Sequence, residues 1–257
     1  MLPIRTRGSR PPLFCVHPAA GISWVYTGLL RHLDAEQPIY GLQAPGLADP
    51  AAHPASVEEL ARTYLAQIRA VRPEGPYALL GWSFGGAVAH AIAALLRRQG
   101  EEVRLLALLD AYPGTGEPGP EQWRDDPAQL AVILDSLGHP AGEVTAWPAD
   151  EDGYAALVRD GEGPLAGLSG AGVARVVSVF QANAELSHAL PLPGYDGDAV
   201  FFTAAKDRPA DAPDPESWRP HLGGRLDVHE VPSTHGAMTG TEALAVIGPV
   251  LAARLTS

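Results

Sequence analysis

The chain has 257 residues, of which 46% are hydrophobic, so it is long enough for one large α/β domain with a full core. Its 18 basic and 30 acidic residues give a net charge of -12, which repels phosphate backbones and anionic lipid surfaces and excludes nucleic acid as an expected partner. No apolar stretch reaches the ~18 residues of a membrane span, no signal-type segment follows Met1, and the single cysteine, Cys15, excludes an internal disulfide, so we expect a soluble, cytoplasmic protein.

The first third of the chain predicts a lead-in followed by alternating strands and helices. Residues 1–12 are basic and contain prolines, which indicates an extended lead-in or linker, with the fold beginning at Leu13. Strands are predicted at 13–17 and 38–42, with an amphipathic helix at 24–33 between them. Ser56 to Glu59 has the spacing of a capping box, and apolar residues then recur at helical intervals to Val71.

The middle and end of the chain predict a sheet interrupted by a helical insertion. Strands are expected at 77–80, 103–109, 199–203 and 226–231, and a helix carries Leu244 to Leu251 near the end. Between Asp110 and Asp198 only helical patterns occur, and they cover 122–137, 150–159 and 173–190. Helices between apolar strands predict right-handed crossovers and a mainly parallel α/β sheet, and the long gap predicts an inserted helical subdomain.

A G-x-S-x-G motif, Gly81 to Gly85, lies between an apolar strand and a small-residue helix. In this context the motif is typical of a strained turn that lifts a serine hydroxyl above the sheet, with glycines where the backbone packs too closely for side chains. The motif therefore predicts that Ser83 is a nucleophile.

A serine nucleophile needs a base and an acid that orients the base. His235 is the preferred base, since it lies in the loop between the last strand and the last helix; His17, which ends the first strand, is the main rival. Asp110 is the preferred acid because it directly follows a predicted strand, and Asp207 is the alternative. The resulting chain order of Ser, Asp and His is the order of α/β-hydrolases.

Attack on an acyl group places negative charge on oxygen, which backbone N–H groups can stabilise. One donor is expected to be Phe84, the residue after the nucleophile. The loop after the first strand contains only small residues from Pro18 to Gly21, and Ala19 is the expected second donor.

Four segments together resemble the thioesterase domain that terminates nonribosomal peptide synthetases, a chain-releasing member of the α/β-hydrolase superfamily, and the resemblance covers nearly the whole chain. They are Pro12-Leu13-Phe14-Cys15-Val16-His17-Pro18-Ala19-Ala20-Gly21, Gly81-Trp82-Ser83-Phe84-Gly85-Gly86, Leu108-Leu109-Asp110 and His235-Gly236-Ala237-Met238.

The resemblance implies an α/β-hydrolase domain at 13–257 with a helical lid at about 115–195, and it assigns the acid to Asp110. It also implies a peptidyl substrate carried as a thioester on the phosphopantetheine arm of an upstream peptidyl carrier protein domain. The chain would move to Ser83 and leave by hydrolysis or macrocyclisation. No cofactor or metal of its own is expected, and the domain is expected to be monomeric.

Three alternatives remain open on the sequence. The first is a stand-alone editing thioesterase, although that class tends to carry histidine before the serine and methionine after it, where this chain has Trp82 and Phe84. The others are a general serine esterase and a binding module with an inert serine. Substrate contacts are expected from Trp24 and Phe180, with the side chains of Phe84 and Trp123 as further candidates.

Overall fold

The computed structural model describes residues 1–114, 127–136, 144–159, 165, 167–188, 192–206, 208 and 212–256. Seven strands and six α-helices lie in these ranges. The strands are β1 (Leu2–Arg5), β2 (Leu13–Val16), β3 (Ile39–Leu42), β4 (Tyr77–Trp82), β5 (Val103–Leu109), β6 (Ala199–Ala204) and β7 (Leu226–Val231). The helices are α1 (Val57–Val71), α2 (Phe84–Arg98), α3 (Pro127–Ser136), α4 (Glu151–Val158), α5 (Gly170–Ser187) and α6 (Thr241–Thr256).

The strands form one sheet in the order β1-β3-β2-β4-β5-β6-β7, in which β1 is antiparallel to β3 and the other pairs are parallel. The predicted mainly parallel α/β sheet is therefore confirmed. Strands β4 and β6 are buried along their whole length, as expected where helices cover both faces of a sheet. Helices α1 and α2 pack on one face, and α6 with the 3₁₀ helix Trp24–Arg31 packs on the other.

The start of the domain differs from the prediction. Residues 1–12 were expected to precede the fold, but Leu2–Arg5 form the edge strand β1, in which Leu2 pairs with Gly41 of β3. The Arg5 side chain also donates a hydrogen bond to the Gln37 carbonyl at 2.8 Å. Pro3 is tolerated because β1 lies at the edge of the sheet. The fold therefore begins before Leu13.

Helices α3, α4 and α5 fall within the range predicted as an insertion. They share an apolar cluster with Ala20 and Ile22, which belong to the loop after β2. Ser169 caps α5 by accepting a hydrogen bond from the Gly172 N–H at 3.2 Å. These helices are thus anchored to the loop that follows the carboxyl end of β2, while the exact bounds of a lid at about 115–195 stay a prediction.

Candidate active site

Ser83 occupies a strained turn between β4 and α2. Its φ is 55° and its ψ is -128°, a conformation that is costly for a residue with a side chain. The turn is tight, since a Cβ atom on Gly81 would overlap the backbone of Gly85, and one on Gly85 would lie 2.5 Å from the carbonyl oxygens of Val16 and His17. The glycines of the motif therefore allow this turn, the elbow around Ser83, to pack against the end of β2.

Asp110 directly follows β5, and it also has a positive φ, of 42°. Its backbone N–H donates to the Phe202 carbonyl at 2.7 Å, which fixes it beside β6. Its Oδ1 accepts hydrogen bonds from the Ala204 N–H and the Tyr112 hydroxyl, both at 3.0 Å. Burial alone would raise the pKa of Asp110, but the hydrogen bonds from His235, Ala204 and Tyr112 outweigh it and lower the pKa, so the carboxylate stays charged.

His235 lies in the loop after β7, at the start of the 3₁₀ helix His235–Ala237. Its Nδ1 is 2.7 Å from Asp110 Oδ2, and its Nε2 is 3.2 Å from Ser83 Oγ. Because a carboxylate only accepts hydrogen bonds, Nδ1 carries the proton and Nε2 is left to accept from the serine hydroxyl. The structure thus brings together the three side chains predicted from the sequence.

His17, the rival base, does not join this group. His17 is fully buried, donates from Nδ1 to the Pro18 carbonyl at 2.7 Å, and accepts at Nε2 from the Tyr64 hydroxyl at 2.5 Å. Burial lowers the pKa of His17 to about 4, so it stays neutral and holds the loop after β2. Asp207, the alternative acid, lies outside the described residues.

The two predicted oxyanion donors, the backbone N–H groups of Phe84 and Ala19, come from different parts of the chain. Phe84 is the first residue of α2, where a backbone N–H has no acceptor within the helix. Ala19 belongs to a loop that is closed by a hydrogen bond from the Gly21 N–H to the Pro18 carbonyl at 2.9 Å. Asn183 of α5 donates to the Ala19 carbonyl at 2.8 Å, so the loop is held from the side of the helical insertion.

A cavity of about 550 Å³ opens beside Ser83 and His235. The predicted substrate contacts Trp24 and Phe180 both line it, and Trp24 is 37% exposed at its edge. The Phe84 side chain is instead buried against the His17 ring, and Trp123 lies outside the described residues. Among the lining residues that the structure describes, none is Asp, Glu, Lys or Arg, so the cavity favours uncharged, apolar groups.

Neither a metal site nor a membrane-spanning helix is found in the described ranges. No group of three or more His, Cys, Asp or Glu side chains there is arranged to hold a metal ion. None of the helices within those ranges has the length and apolar character that crossing a bilayer requires.

Comparison with known proteins identifies the family of the chain. Residues 11–250 match the family model of the thioesterase domain. The chain belongs to the thioesterase domain family. This chain is 37% identical over 256 residues to the dimodular nonribosomal peptide synthase of Bacillus subtilis (strain 168). The matched segment covers 99% of this chain and 11% of that synthase. The chain is 30% identical over 262 residues to enterobactin synthase component F of Escherichia coli (strain K12), covering 99% of this chain and 18% of that protein.

Solved structures agree with this assignment. The NocB thioesterase domain, crystallised as a covalent complex with a fluorophosphonate nocardicin G analogue, is 25% identical with a TM-score of 0.71, over 97% of this chain and 96% of that one. A four-domain nonribosomal peptide synthetase, AB3403, contains the same fold, with a TM-score of 0.79 at 22% identity over 95% of this chain and 19% of that one. The thioesterase domain therefore has the α/β-hydrolase fold, and it resembles one part of much longer synthetases.

Two residues of this site are not predicted by the sequence motifs. Tyr112 contacts Asp110 Oδ1, and Arg208 Nη1 lies 3.7 Å from the same oxygen. Tyr112 stands two residues after the acid, which was a weak signal for it, whereas nothing in the local sequence indicates Arg208.

Proposed function

We propose that the domain releases a peptidyl chain from the phosphopantetheine thioester of an upstream carrier protein, through an acyl intermediate on Ser83. The observation that carries the proposal is the continuous line of hydrogen bonds from Asp110 through His235 to Ser83, at 2.7 and 3.2 Å, beside an apolar cavity. Membership of the thioesterase family supports thioesters as the substrate class. The carrier is proposed because the relatives are multidomain peptide synthetases.

In the first half of the reaction, His235 Nε2 takes the Ser83 hydroxyl proton as Oγ attacks the thioester carbonyl carbon. Asp110 stabilises the imidazolium that forms. The Ala19 and Phe84 N–H groups stabilise the oxyanion, where removal of one such donor typically costs about 10²–10³-fold in rate. The carbon–sulfur bond then breaks, and the leaving thiolate takes the proton from His235.

In the second half, a nucleophile attacks the acyl ester on Ser83, and His235 again accepts its proton and returns it to Oγ. Water gives a free acid, while an amine or hydroxyl of the bound chain gives a ring that is lighter by one water. Helix α5, which contributes Phe180 to the cavity wall, would help control which nucleophile reaches the ester, since a site that excludes water favours attack by the chain itself. We propose that Trp24 and Phe180 hold the chain for this step.

The proposal is tested by incubating the wild type and Ser83→Ala with peptidyl thioesters, on a carrier protein and on a small thiol, and by measuring products by mass spectrometry. Ser83→Ala should lose more than about 10³-fold in turnover. Ser217→Ala, an exposed serine in the 3₁₀ helix Pro215–His221, is the matched control and should retain full activity.

Undiminished turnover by Ser83→Ala would overturn the mechanism. Turnover of simple oxygen esters as fast as that of carrier-bound thioesters would instead identify a general esterase. Selective removal of short acyl groups from blocked carriers would identify an editing thioesterase.

A further inference from the structure

Two side chains behind the candidate acid connect it to a positive charge. Tyr112 follows β5 and Arg208 follows β6, and these neighbouring parallel strands bring both residues to the same edge of the sheet. Arg208 Nη1 donates to the Tyr112 hydroxyl at 2.7 Å and to Thr203 Oγ1 at 3.1 Å. The guanidinium also lies over the Tyr112 ring, 5.4 Å from its centre.

The direction of these hydrogen bonds follows from the chemistry of the groups. Arginine only donates, so the Tyr112 hydroxyl accepts from Arg208 and keeps its single proton for another partner. Burial raises the pKa of Tyr112, and the Asp110 charge acts in the same direction, so the phenol stays protonated. The carboxylate Oδ1 at 3.0 Å is the charged acceptor, whereas the Thr203 hydroxyl is neutral and lies at 3.2 Å. The proton of Tyr112 therefore points to Asp110.

Asp110 is held at both oxygens as a result. Oδ1 is fixed by Tyr112 and by the Ala204 N–H, which leaves Oδ2 directed at His235 Nδ1. Arg208 strengthens this arrangement because a tyrosine that accepts from a cation is a stronger donor to an anion. Its side chain is 26% exposed and is also tied to the Pro213 carbonyl, so its position does not depend on the substrate.

We propose that Tyr112 and Arg208 are positioning residues, which act on His235 through Asp110 by fixing the carboxylate and offsetting part of its negative charge. This inference rests on the proposed function, in which Asp110 orients the base of an acyl-transfer site.

Tyr112 and Arg208 are expected to affect the pH dependence of activity. The groups in contact with the Asp110 and His235 pair come from several elements: Tyr112 and Arg208 from the loops after β5 and β6, the Ala204 N–H from β6, and Ser83 and the Trp82 ring from the elbow. Arg208 and the phenol stabilise the carboxylate and so weaken its hold on a protonated imidazole. Without either group, the acidic limb of the kcat/KM profile is expected to move to higher pH.

The test compares Tyr112→Phe, Arg208→Gln and Arg208→Lys with the wild type, using a peptidyl thioester between pH 5 and 9. Tyr112→Phe and Arg208→Gln should lower kcat by about 10- to 100-fold, the size expected for a hydrogen bond to a charged group, with KM nearly unchanged. The acidic limb should move to higher pH. Arg208→Lys keeps the charge and should restore most of kcat. Arg219→Gln, an exposed arginine paired with Glu216 at 2.8 Å, is the matched control and should match the wild type.

A double variant tests the connection between the two residues. If Arg208 acts through Tyr112, the losses in Tyr112→Phe/Arg208→Gln should be smaller than the product of the single losses. An acidic limb that stays in place, or losses that multiply, would overturn the inference, provided that the melting temperatures match the wild type. Ser83→Ala separates the two levels: an active Ser83→Ala refutes the proposed function, whereas an inactive Ser83→Ala with an unmoved limb refutes the inference alone.

Discussion

Asp110→Asn is expected to remove almost all activity without disturbing the fold, because the surroundings of Asp110 dictate how an amide would lie. Two donors, the Ala204 N–H and the Tyr112 hydroxyl, face Oδ1 at 3.0 Å. An asparagine must therefore place its carbonyl oxygen there and turn its NH₂ group toward His235 Nδ1, which is 2.7 Å away from Oδ2. Nδ1 then has to accept, the proton moves to Nε2, and His235 can no longer accept from Ser83.

The wrong tautomer is expected to lower kcat by about 10⁴-fold, equivalent to about 5.4 kcal/mol of transition-state stabilisation. The assay is release of thiol from a peptidyl thioester, with the melting temperature as the check of folding. Asp227→Asn is a matched control, since Asp227 also contacts a histidine, His229 at 3.1 Å, but on the outer strand β7. A loss of less than about tenfold, or a greater loss in Asp207→Asn, would refute the assignment of the acid.

Two further predictions follow from the cavity and from the buried histidines. Trp24→Ala and Phe180→Ala should each raise KM for thioesters with apolar acyl chains by about 10-fold or more, with less effect on kcat. The reason is that each substitution removes a large apolar side chain from the cavity wall. An unchanged KM in both variants would show that these residues do not contact the substrate. Burial lowers the pKa of both His17 and His90 to about 4, below the ~6.5 of a histidine in an unfolded chain. The free energy of unfolding therefore carries their full contribution above about pH 6.5, and this contribution is lost as the pH falls toward 4. Each histidine contributes about 3 kcal/mol at most to this pH dependence. In His90→Gln, the free energy of unfolding measured with urea should fall less between about pH 6.5 and pH 4 than it does in the wild type. An unchanged pH dependence would contradict the prediction.

The local sequence was sufficient where a feature depends on residues close in the chain. The elbow around Ser83 needs only an apolar strand, two glycines and a helix, and all of these lie within about twenty residues. Asp110 was predicted because it directly follows a predicted strand, and His235 because it lies in the loop between the last strand and the last helix; parallel strands bring their carboxyl ends to one edge. The capping box at Ser56 was equally local, and the structure has its hydrogen bond to the Glu59 N–H at 3.1 Å.

The features that were missed depend on contacts between distant parts of the chain. Strand β1 is short, contains Pro3, and is defined by pairing with β3 nearly forty residues away, so no local period indicates it. Tyr112 and Arg208 meet because β5 and β6 are neighbours across the helical insertion. Arg208 stands in a polar, proline-containing segment that by itself is typical of a solvated loop.

The central claim is that Ser83 is the nucleophile, and the most direct measurement is covalent labelling with a fluorophosphonate probe. An activated serine attacks phosphorus, releases fluoride and stays bonded to the probe. Intact-protein mass spectrometry should show one added phosphonyl group in the wild type, peptide mapping should locate it on Ser83, and thioester turnover should fall in proportion to labelling. Ser83→Ala should remain unlabelled. Label on another residue with loss of activity, or full turnover by stoichiometrically labelled protein, would contradict the account.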